Sequence, residues 1–244
     1  MSPSGSDRPV KPAKHPRPAD SGSSAATAGR AVGSGESPAQ SDPRGPSRKA
    51  RSSRSTLETD VSVQLDIDAW RFSGAEADFE PVGLGFFGHM LRTLTVYAGW
   101  SLHLDYSFDG HVDLHHGVED IGIVLGQALA ECLYESAEHR RFGSALAPMD
   151  DSLAEAVVDA GKRPYLHFAV DWPQPTIGSF DLCLTEEFFR ALALNAGLTL
   201  HLSGRYGRNS HHLCEALFKA VGLALREALS PGAIKGPFSI KGVL

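Results

Sequence analysis

Residues 98–104 read AGWSLHL and residues 196–202 read AGLTLHL, so one pattern recurs at an offset of 98. Further along, residues 115–119 (HHGVE) correspond to residues 211–215 (HHLCE) at an offset of 96. Two residues gapped in a connecting loop account for the change of offset. We infer a duplicated unit of about 95 residues. Two copies favour a pseudo-twofold arrangement, because a solenoid generally needs three or more repeats.

Both copies present the same order of predicted elements: alternating strands, a helix, further strands and a long apolar helix. Strand sets with helices segregated between them predict an α+β fold, in which each of two β-sheets carries helices on one face. The predicted strands are 61–67, 100–106 and 110–113 in the first copy and 155–158, 165–170 and 198–206 in the second. The predicted helices are 87–97 and 116–137 in the first copy and 185–196 and 211–229 in the second. Thr185 is the predicted N-cap of the helix at 185–196.

Composition divides the 244 residues into an extension and a core. Residues 1–55 carry ten Lys/Arg against four Asp/Glu and contain no Leu, Ile, Phe, Tyr or Trp. Such a segment buries too little apolar surface to offset the entropy of ordering its backbone. We therefore predict a disordered basic extension over 1–55, a first repeat over 56–148 and a second repeat over 149–244.

The remaining features exclude several classes of protein. No apolar run approaches the roughly 18 residues that span a bilayer, and the N-terminus lacks the apolar segment of a secretory signal. Cys132, Cys183 and Cys214 form no CxxC pair, so neither a disulfide framework nor a thiolate zinc site is indicated. Residues 56–244 carry 13 basic and 25 acidic residues, which disfavours nucleic acid as a partner. We expect a cytoplasmic protein without membrane or nucleic-acid partners.

The repeated His-His-x-x-Glu motifs are candidate metal ligands. His115 and Glu119 are i,i+4 neighbours on one helix face, whereas His116 is turned by about 100°. The same geometry applies to the second motif at residues 211–215. A single histidine is more often a hydrogen-bonded core residue, but a motif of this kind that recurs in both copies favours metal binding.

The duplication adds one ligand to each motif, because His89 and Glu187 correspond at the offset of 98. Imidazole-rich sites with carboxylates suit Mn²⁺, Fe²⁺ or Zn²⁺. Half-sites of one chain can lie too far apart to meet, so we expect ligands from neighbouring subunits in a metal-dependent homo-oligomer. Pseudo-symmetry sorts the candidates into two equivalent sites, His89, His116, His211 and Glu215 in one, and Glu187, His212, His115 and Glu119 in the other.

Few basic residues remain in the acidic core, so each is a candidate ligand for an anion. Arginine suits fork-like recognition of phosphate, and lysine suits point-charge recognition. The candidates are Arg141, Arg163, Lys219 and Lys241. Lys219 also lies four residues after Glu215, so a plain surface ion pair is the alternative for it.

Several motifs follow one another in order from about residue 58 to the end of the chain. They are residues 86–91 (FFGHML), 113–122 (DLHHGVEDIG), 141–143 (RFG), 161–165 (GKRPY), 209–212 (NSHH), 215–220 (EALFKA) and 241–244 (KGVL). Together they resemble imidazoleglycerol-phosphate dehydratase. The resemblance implies a ribosomal-protein-S5-domain-2-like fold and dehydration of D-erythro-imidazole glycerol phosphate to imidazole acetol phosphate in histidine biosynthesis. It also implies two Mn²⁺ ions per active site and a trimer-based cage of 24 subunits with active sites between subunits.

The same resemblance assigns roles residue by residue. Glu58 would be the proton shuttle, with the metal ligand Glu119 as a candidate partner, since breaking the C–H bond needs a carboxylate. The eight residues sorted above would bind metal. The residues in contact with the substrate would be Glu58, Tyr97, Arg141, Arg163, Lys219, Ser239 and Lys241, the last five at its phosphate.

The chain departs from the family pattern at Gly88, Thr93, Tyr97, Leu114 and Gly117. Glu187 also stands where many members have histidine. Loss of supporting carboxylates weakens metal affinity or activity by about 10–100-fold. Two alternatives therefore stay open: a divergent, weakly active or noncatalytic metal-binding paralogue that keeps the assembly, and a metal-dependent hydrolase, which the lack of an HExxH motif disfavours.

Overall fold

The computed structural model describes residues 47–80, 83–108, 113–134 and 139–232. Over these residues the chain is an α+β protein with two four-stranded sheets, as the repeat predicts. The strands are β1 (Lys49–Ser55), β2 (Thr59–Asp66), β3 (Glu76–Asp78), β4 (Ser101–Phe108), β5 (Phe142–Met149), β6 (Ser152–Asp159), β7 (Tyr165–Ala169), β8 (Thr176–Ile177), β9 (Phe180–Asp181) and β10 (Thr199–Tyr206). The helices are α1 (Gly85–Ala98), α2 (His115–Tyr134), α3 (Cys183–Ala196) and α4 (Ser210–Leu229). Among the described helices, none combines the length and the apolar character needed to cross a bilayer.

The two sheets share one topology, which is the outcome expected of a duplicated unit. The first has the strand order β1-β2-β4-β3, and the second has the order β5-β6-β10-β7. In each sheet the last pair is parallel and the other pairs are antiparallel. α1 and α3 both end at a left-handed glycine, Gly99 (φ 76°) and Gly197 (φ 68°). The repeated Ala-Gly therefore ends a helix just before β4 or β10 begins.

Each sheet buries one face under helices. Along β2 the side chains of Val61, Val63 and Leu65 are buried, while the residues between them are more exposed. This is the period of two expected for a half-buried strand. α2 packs on β1 and β2, and α4 packs on β5 and β6. The prediction of helices on one face of each sheet is confirmed.

Helices of different repeats meet through glycines. α1 packs on α4, and α2 packs on α3. A Cβ atom at Gly222 of α4 would lie 2.9 Å from the carbonyl oxygen of Leu94 in α1. A Cβ atom at Gly122 of α2 would lie 2.8 Å from the carbonyl oxygen of Phe188 in α3. Only glycine allows the backbones to come this close, so these positions determine how the two repeats are joined.

The predicted start of the ordered chain at residue 56 is wrong. β1 covers Lys49–Ser55 and pairs along its length with β2. Just before it, the guanidinium of Arg48 is buried against Asp68 and donates two hydrogen bonds of 2.8 Å. Composition does not predict this strand, because it is stabilised by backbone pairing and a buried ion pair and not by large apolar side chains. Residues 1–46 lie outside the described residues, so the disordered extension there stays a prediction.

The limit between the repeats and one helix cap also need correction. β5 crosses the predicted limit at 148/149 and pairs with β6, so it belongs to the second sheet. Thr185 is buried inside α3, which begins at Cys183, and is not its N-cap. Asp181 accepts the backbone N–H of Cys183 at 3.0 Å instead. The predicted strand at 110–113 and the helix end at 137 fall largely on residues 109–112 and 135–138, outside the described residues.

Candidate metal centre

Three candidate ligands meet where α1 contacts α4. The side chain of Asn209 accepts the backbone N–H of His211 at 2.9 Å and so starts α4 at the histidine pair. His211 Nε2 lies 3.5 Å from Oε2 of Glu215, one turn further along the helix. His89 reaches the same oxygen from α1, with its Nε2 at 3.6 Å. The three ligand atoms of this α1–α4 triad lie within 4.8 Å of one another, so one cation can bind all three.

Glu215 divides its oxygens between the triad and Lys219. Its Oε1 accepts a hydrogen bond from Lys219 Nζ at 2.8 Å, and both side chains are largely buried. Burial raises the pKa of the Glu215 carboxyl, but the hydrogen bond and charge of Lys219, together with His89, outweigh it and lower that pKa. Lys219 Nζ also lies 5.6 Å from the ring centroid of Tyr97. Lys219 therefore makes the i,i+4 ion pair with Glu215 that the spacing offered as the alternative, but in a largely buried place beside the triad and not on the surface. Its role as a phosphate ligand stays a prediction.

Neither predicted four-ligand site assembles within one chain. The α1–α4 triad is the one group of this kind among the described histidine, cysteine and acidic residues. In the other repeat, His115 Nε2 lies 3.8 Å from Glu119 Oε2. Glu187 Oε2 lies 3.8 Å from Arg190 Nε on its own helix. α2 and α3 pack together as α4 and α1 do, but Glu187 lies beside an arginine where its counterpart His89 faces a glutamate.

The second histidine of each pair faces a carboxylate of its own repeat. His116 Nδ1 lies 2.9 Å from Glu58 Oε2, and His212 Nδ1 lies 2.6 Å from Asp151 Oδ1. The hydrogen bond with His212, and then that from the Arg208 N–H at 2.7 Å, lower the pKa of Asp151 to about 2. Sequence reasoning missed Asp151. The duplication could have found it, because Asp151 directly precedes β6 as Glu58 directly precedes β2.

Glu58 has an anchored backbone and an accessible side chain. Thr56 Oγ1 accepts the backbone N–H groups of Glu58 at 3.1 Å and of Thr59 at 2.9 Å. The Thr59 hydroxyl donates to Asp120 of α2, which Arg54 also binds at 2.7 Å. The Glu58 side chain is 59% exposed. Its carboxylate can therefore change position while the turn that carries it stays in place.

Arg141 and Arg163 converge on Asp159 at the end of β6. Arg141 Nε and Nη2 lie 2.6 and 3.1 Å from the two Asp159 oxygens, and Arg163 Nη2 lies 3.1 Å from Oδ2. Burial raises the pKa of Asp159, but these two guanidinium groups outweigh it and lower that pKa. Arg141 is buried, whereas the Arg163 side chain is 73% exposed. Two predicted phosphate ligands thus meet here, while Ser239 and Lys241 lie outside the described residues.

Some departures from the family pattern have a packing explanation. A Cβ atom at Gly117 would lie 3.1 Å from the ring of Phe108, which takes the space that a side chain would need. Leu114 packs against the hydrophobic core. The Thr93 hydroxyl donates to the His89 carbonyl at 3.0 Å, within α1. None of these three contacts occupies a ligand atom of the α1–α4 triad.

The chain is similar to known proteins along most of its length. A family model described as imidazoleglycerol-phosphate dehydratase matches residues 82–225. The imidazoleglycerol-phosphate dehydratase of Exiguobacterium sp. is 45% identical over 195 residues, 80% of this chain and 97% of the relative. That of Gluconobacter oxydans is 45% identical over 200 residues, 81% of this chain and 98% of the relative.

Solved structures of such dehydratases also match. The crystal structure from Staphylococcus aureus has a TM-score of 0.65 at 37% identity and covers 75% of this chain and 99% of that chain. The Pyrococcus furiosus structure, a complex with (S)-C348, has a TM-score of 0.67 at 36% identity and covers 79% of this chain and 99% of that chain. These values agree with the α+β fold and the paired sheets.

Proposed function

The chain belongs to the imidazoleglycerol-phosphate dehydratase family, and we propose that it eliminates water from D-erythro-imidazole glycerol phosphate to give imidazole acetol phosphate. This reaction is a hydro-lyase step of L-histidine biosynthesis. The observation that carries the proposal is the α1–α4 triad, in which two imidazoles and a carboxylate converge from two repeats. Family membership gives the reaction, and the triad provides a place where it can be catalysed.

A divalent cation fits the donor set of the triad. Two imidazole nitrogens and one carboxylate oxygen suit Mn²⁺, Fe²⁺ or Zn²⁺, and we propose Mn²⁺. When bound, such an ion supplies Lewis-acid polarisation of the substrate imidazole. His89, His211 and Glu215 would hold one ion, and Glu187, His115 and Glu119 would hold its pseudo-symmetric partner.

The remaining imidazoles support a homo-oligomer. His116 and His212 contact Glu58 and Asp151 of their own repeats. Neither contributes to the triad of its own chain, so a second copy of the chain is the proposed source of the fourth protein ligand. A trimer-based assembly of 24 subunits would provide such contacts. We place the enzyme in the cytoplasm, since three free cysteines suit a reducing compartment.

Glu58 is the proposed proton shuttle. The C–H bond to be broken has no adjacent carbonyl, so its acidity must come from the imidazole ring of the substrate. A base close to that bond must also take the proton, and a carboxylate can do so. Glu58 combines an anchored backbone with an accessible carboxylate, as a shuttle requires. Glu119, half-buried on α2, is its proposed partner. The proposed phosphate ligands are Arg141, Arg163, Lys219, Ser239 and Lys241, and Tyr97 beside Lys219 is proposed to contact the substrate.

Turnover by purified protein with Mn²⁺ tests the proposal. We expect imidazole acetol phosphate from imidazole glycerol phosphate in the wild type, and none with Glu58→Gln, which keeps the size of the side chain and removes the base. Glu76→Gln on β3, an exposed glutamate of the same sheet, is the matched control and should retain wild-type activity. Wild-type protein that takes up metal and assembles but makes no product would refute the dehydratase and favour the noncatalytic paralogue.

A further inference from the structure

Two carboxylates occupy equivalent places beside the second histidines, but they are held differently. Glu58 precedes β2 and contacts His116 Nδ1 at 2.9 Å, and Asp151 precedes β6 and contacts His212 Nδ1 at 2.6 Å. The side chain of Glu58 is 59% exposed, while that of Asp151 is 25% exposed. The two repeats therefore present the same histidine–carboxylate contact in an open and in a more enclosed form.

Both oxygens of Asp151 are engaged. Oδ1 faces His212 Nδ1, and Oδ2 accepts the backbone N–H of Arg208 at 2.7 Å. Asp151 also stands in the tight connection between β5 and β6, next to Asp150 with its left-handed backbone (φ 45°). An aspartate has one methylene fewer than a glutamate. Short reach, a tight turn and two partners together give this carboxylate little freedom to carry a proton elsewhere.

A fixed carboxylate at one ring nitrogen determines what the other nitrogen can do. An ionised carboxylate only accepts hydrogen bonds, so the His212 nitrogen that faces it must carry the proton. The neutral ring then keeps its lone pair on Nε2, which is the form that binds a metal ion. Asp150 Oδ2 lies 3.7 Å from that Nε2, too far to accept a hydrogen bond that would place the proton on Nε2.

We propose that Asp151 is a positioning residue that holds His212 as its Nδ1–H tautomer and so presents Nε2 to the divalent cation. The inference rests on the proposed function, in which His212 is a metal ligand. It divides the two equivalent carboxylates by role: Glu58 moves protons, and Asp151 orients a ligand.

Two substitutions at position 151 separate this role from a merely structural one. In Asp151→Asn the amide oxygen accepts the backbone N–H of Arg208, because that donor needs an acceptor. The amide NH₂ group then faces His212 Nδ1. That nitrogen must then accept, the proton moves to Nε2, and the metal-binding lone pair is lost. In Asp151→Ala neither tautomer is imposed. We expect about 10–100-fold weaker Mn²⁺ binding at this position in Asp151→Asn and a smaller loss in Asp151→Ala.

The measurement is Mn²⁺ titration of metal-stripped, assembled protein, followed by the electron paramagnetic resonance signal of free Mn²⁺. Light scattering after gel filtration checks assembly of each variant. Asp151→Glu keeps a carboxylate acceptor for His212 Nδ1 and should retain most of the wild-type Mn²⁺ affinity. Its comparison with Asp151→Ala tests the role even when Asp151→Asn does not assemble. Asp150→Asn removes a neighbouring negative charge without affecting Nδ1 and should bind more tightly than Asp151→Asn.

The order of the variants decides the outcome. A milder effect of Asn than of Ala, equal effects of the two, or a loss in Asp150→Asn as large as in Asp151→Asn would overturn the tautomer role. Wild-type protein that binds no Mn²⁺ would overturn it as well. The proposed function is measured separately, because wild-type protein that binds Mn²⁺ without making product refutes the dehydratase and leaves the comparison of variants valid.

Discussion

Arg48→Ala should destabilise the protein far more than its place at the border of a basic, apolar-poor segment suggests. Arg48 Nε and Nη2 each lie 2.8 Å from an oxygen of Asp68, and Nη2 also donates to the carbonyl of Leu229 at 2.6 Å. The side chains of Arg48 and Asp68 are 8% and 1% exposed. Removing the guanidinium leaves a buried carboxylate and a buried carbonyl without these donors.

The structure also bounds the size of the effect. Breaking a buried ion pair by deleting one partner costs about 3–5 kcal/mol. Asp68 keeps the backbone N–H of residue 48 at 3.0 Å and Arg71 Nη1 at 3.6 Å, so we expect the lower end, about 3 kcal/mol. For a domain of this size that corresponds to a fall in Tm of roughly 6–12 °C. Differential scanning calorimetry at fixed protein and metal concentration measures it.

Lys49→Ala is the matched control. Lys49 Nζ lies 3.3 Å from Asp66, but its side chain is 68% exposed, so its loss should cost less than about 1 kcal/mol. Equal Tm values for the two variants would refute the reasoning that the buried pair anchors β1. A decrease in Tm of less than about 2 °C for Arg48→Ala would refute it as well.

The difference in stability between the wild type and Arg48→Ala should change with pH in a defined direction. Burial raises the pKa of Asp68, but hydrogen bonds and charge from Arg48 outweigh it, and the net pKa is lowered. A carboxyl with a lowered pKa in the folded state contributes stability above its unfolded pKa of about 3.9 and loses it as pH falls through the folded value. The gap between wild type and Arg48→Ala should stay constant from about pH 5 to 8 and narrow below about pH 4. A gap that widens in acid would contradict this assignment.

Two further outcomes follow from the helix contact at the triad. Gly222→Ala places a Cβ 2.8 Å from that of Tyr97 and 2.9 Å from backbone atoms of α1. It should therefore lower the free energy of unfolding, measured in urea, by about 1–3 kcal/mol. An unchanged urea midpoint would show that α1 and α4 can separate at no cost. His89→Ala should reduce the rise in Tm that Mn²⁺ causes in the wild type, because a ligand that binds only the folded state stabilises it and this variant keeps only the proposed site at Glu187, His115 and Glu119 intact. His167→Ala removes an imidazole from the His167–His201 pair, outside the proposed metal ligands, and should keep the full rise. An undiminished rise in His89→Ala would exclude this site.

Sequence periodicity predicted most of the architecture because that information is local. The Ala-Gly pairs that end α1 and α3, the alternation along β2 and β10, and the helix starts at the histidine pairs each depend on neighbouring residues. Because the unit is duplicated, these local patterns occur once in each repeat. The family resemblance also rested on such local motifs, and similarity over four fifths of the chain agrees with it.

The site was only partly predictable. His211 and Glu215 share a helix face by spacing alone, so their proximity followed from the sequence. Pseudo-symmetry placed His89 with them, and the structure brings the three together. The close approach itself depends on α1 crossing α4 at Gly222, and no pattern within either helix specifies that crossing. The two four-ligand sets stay a prediction, because they draw on neighbouring subunits. Within one chain His116 and His212 contact Glu58 and Asp151, residues from turns far away in the sequence.

What the sequence determined by itself is the inventory: a doubled α+β unit, imidazoles and carboxylates in repeated motifs, and a chain without a long apolar run. What only the tertiary structure decided is which of these groups meet. β1 is ordered because β2 supplies its hydrogen bonds and Asp68 neutralises Arg48 in a buried place. Asp151 acquires a partner because the β5–β6 turn lies against the start of α4. Contacts between distant segments depend on how helices and sheets pack, and composition and spacing do not encode that packing locally.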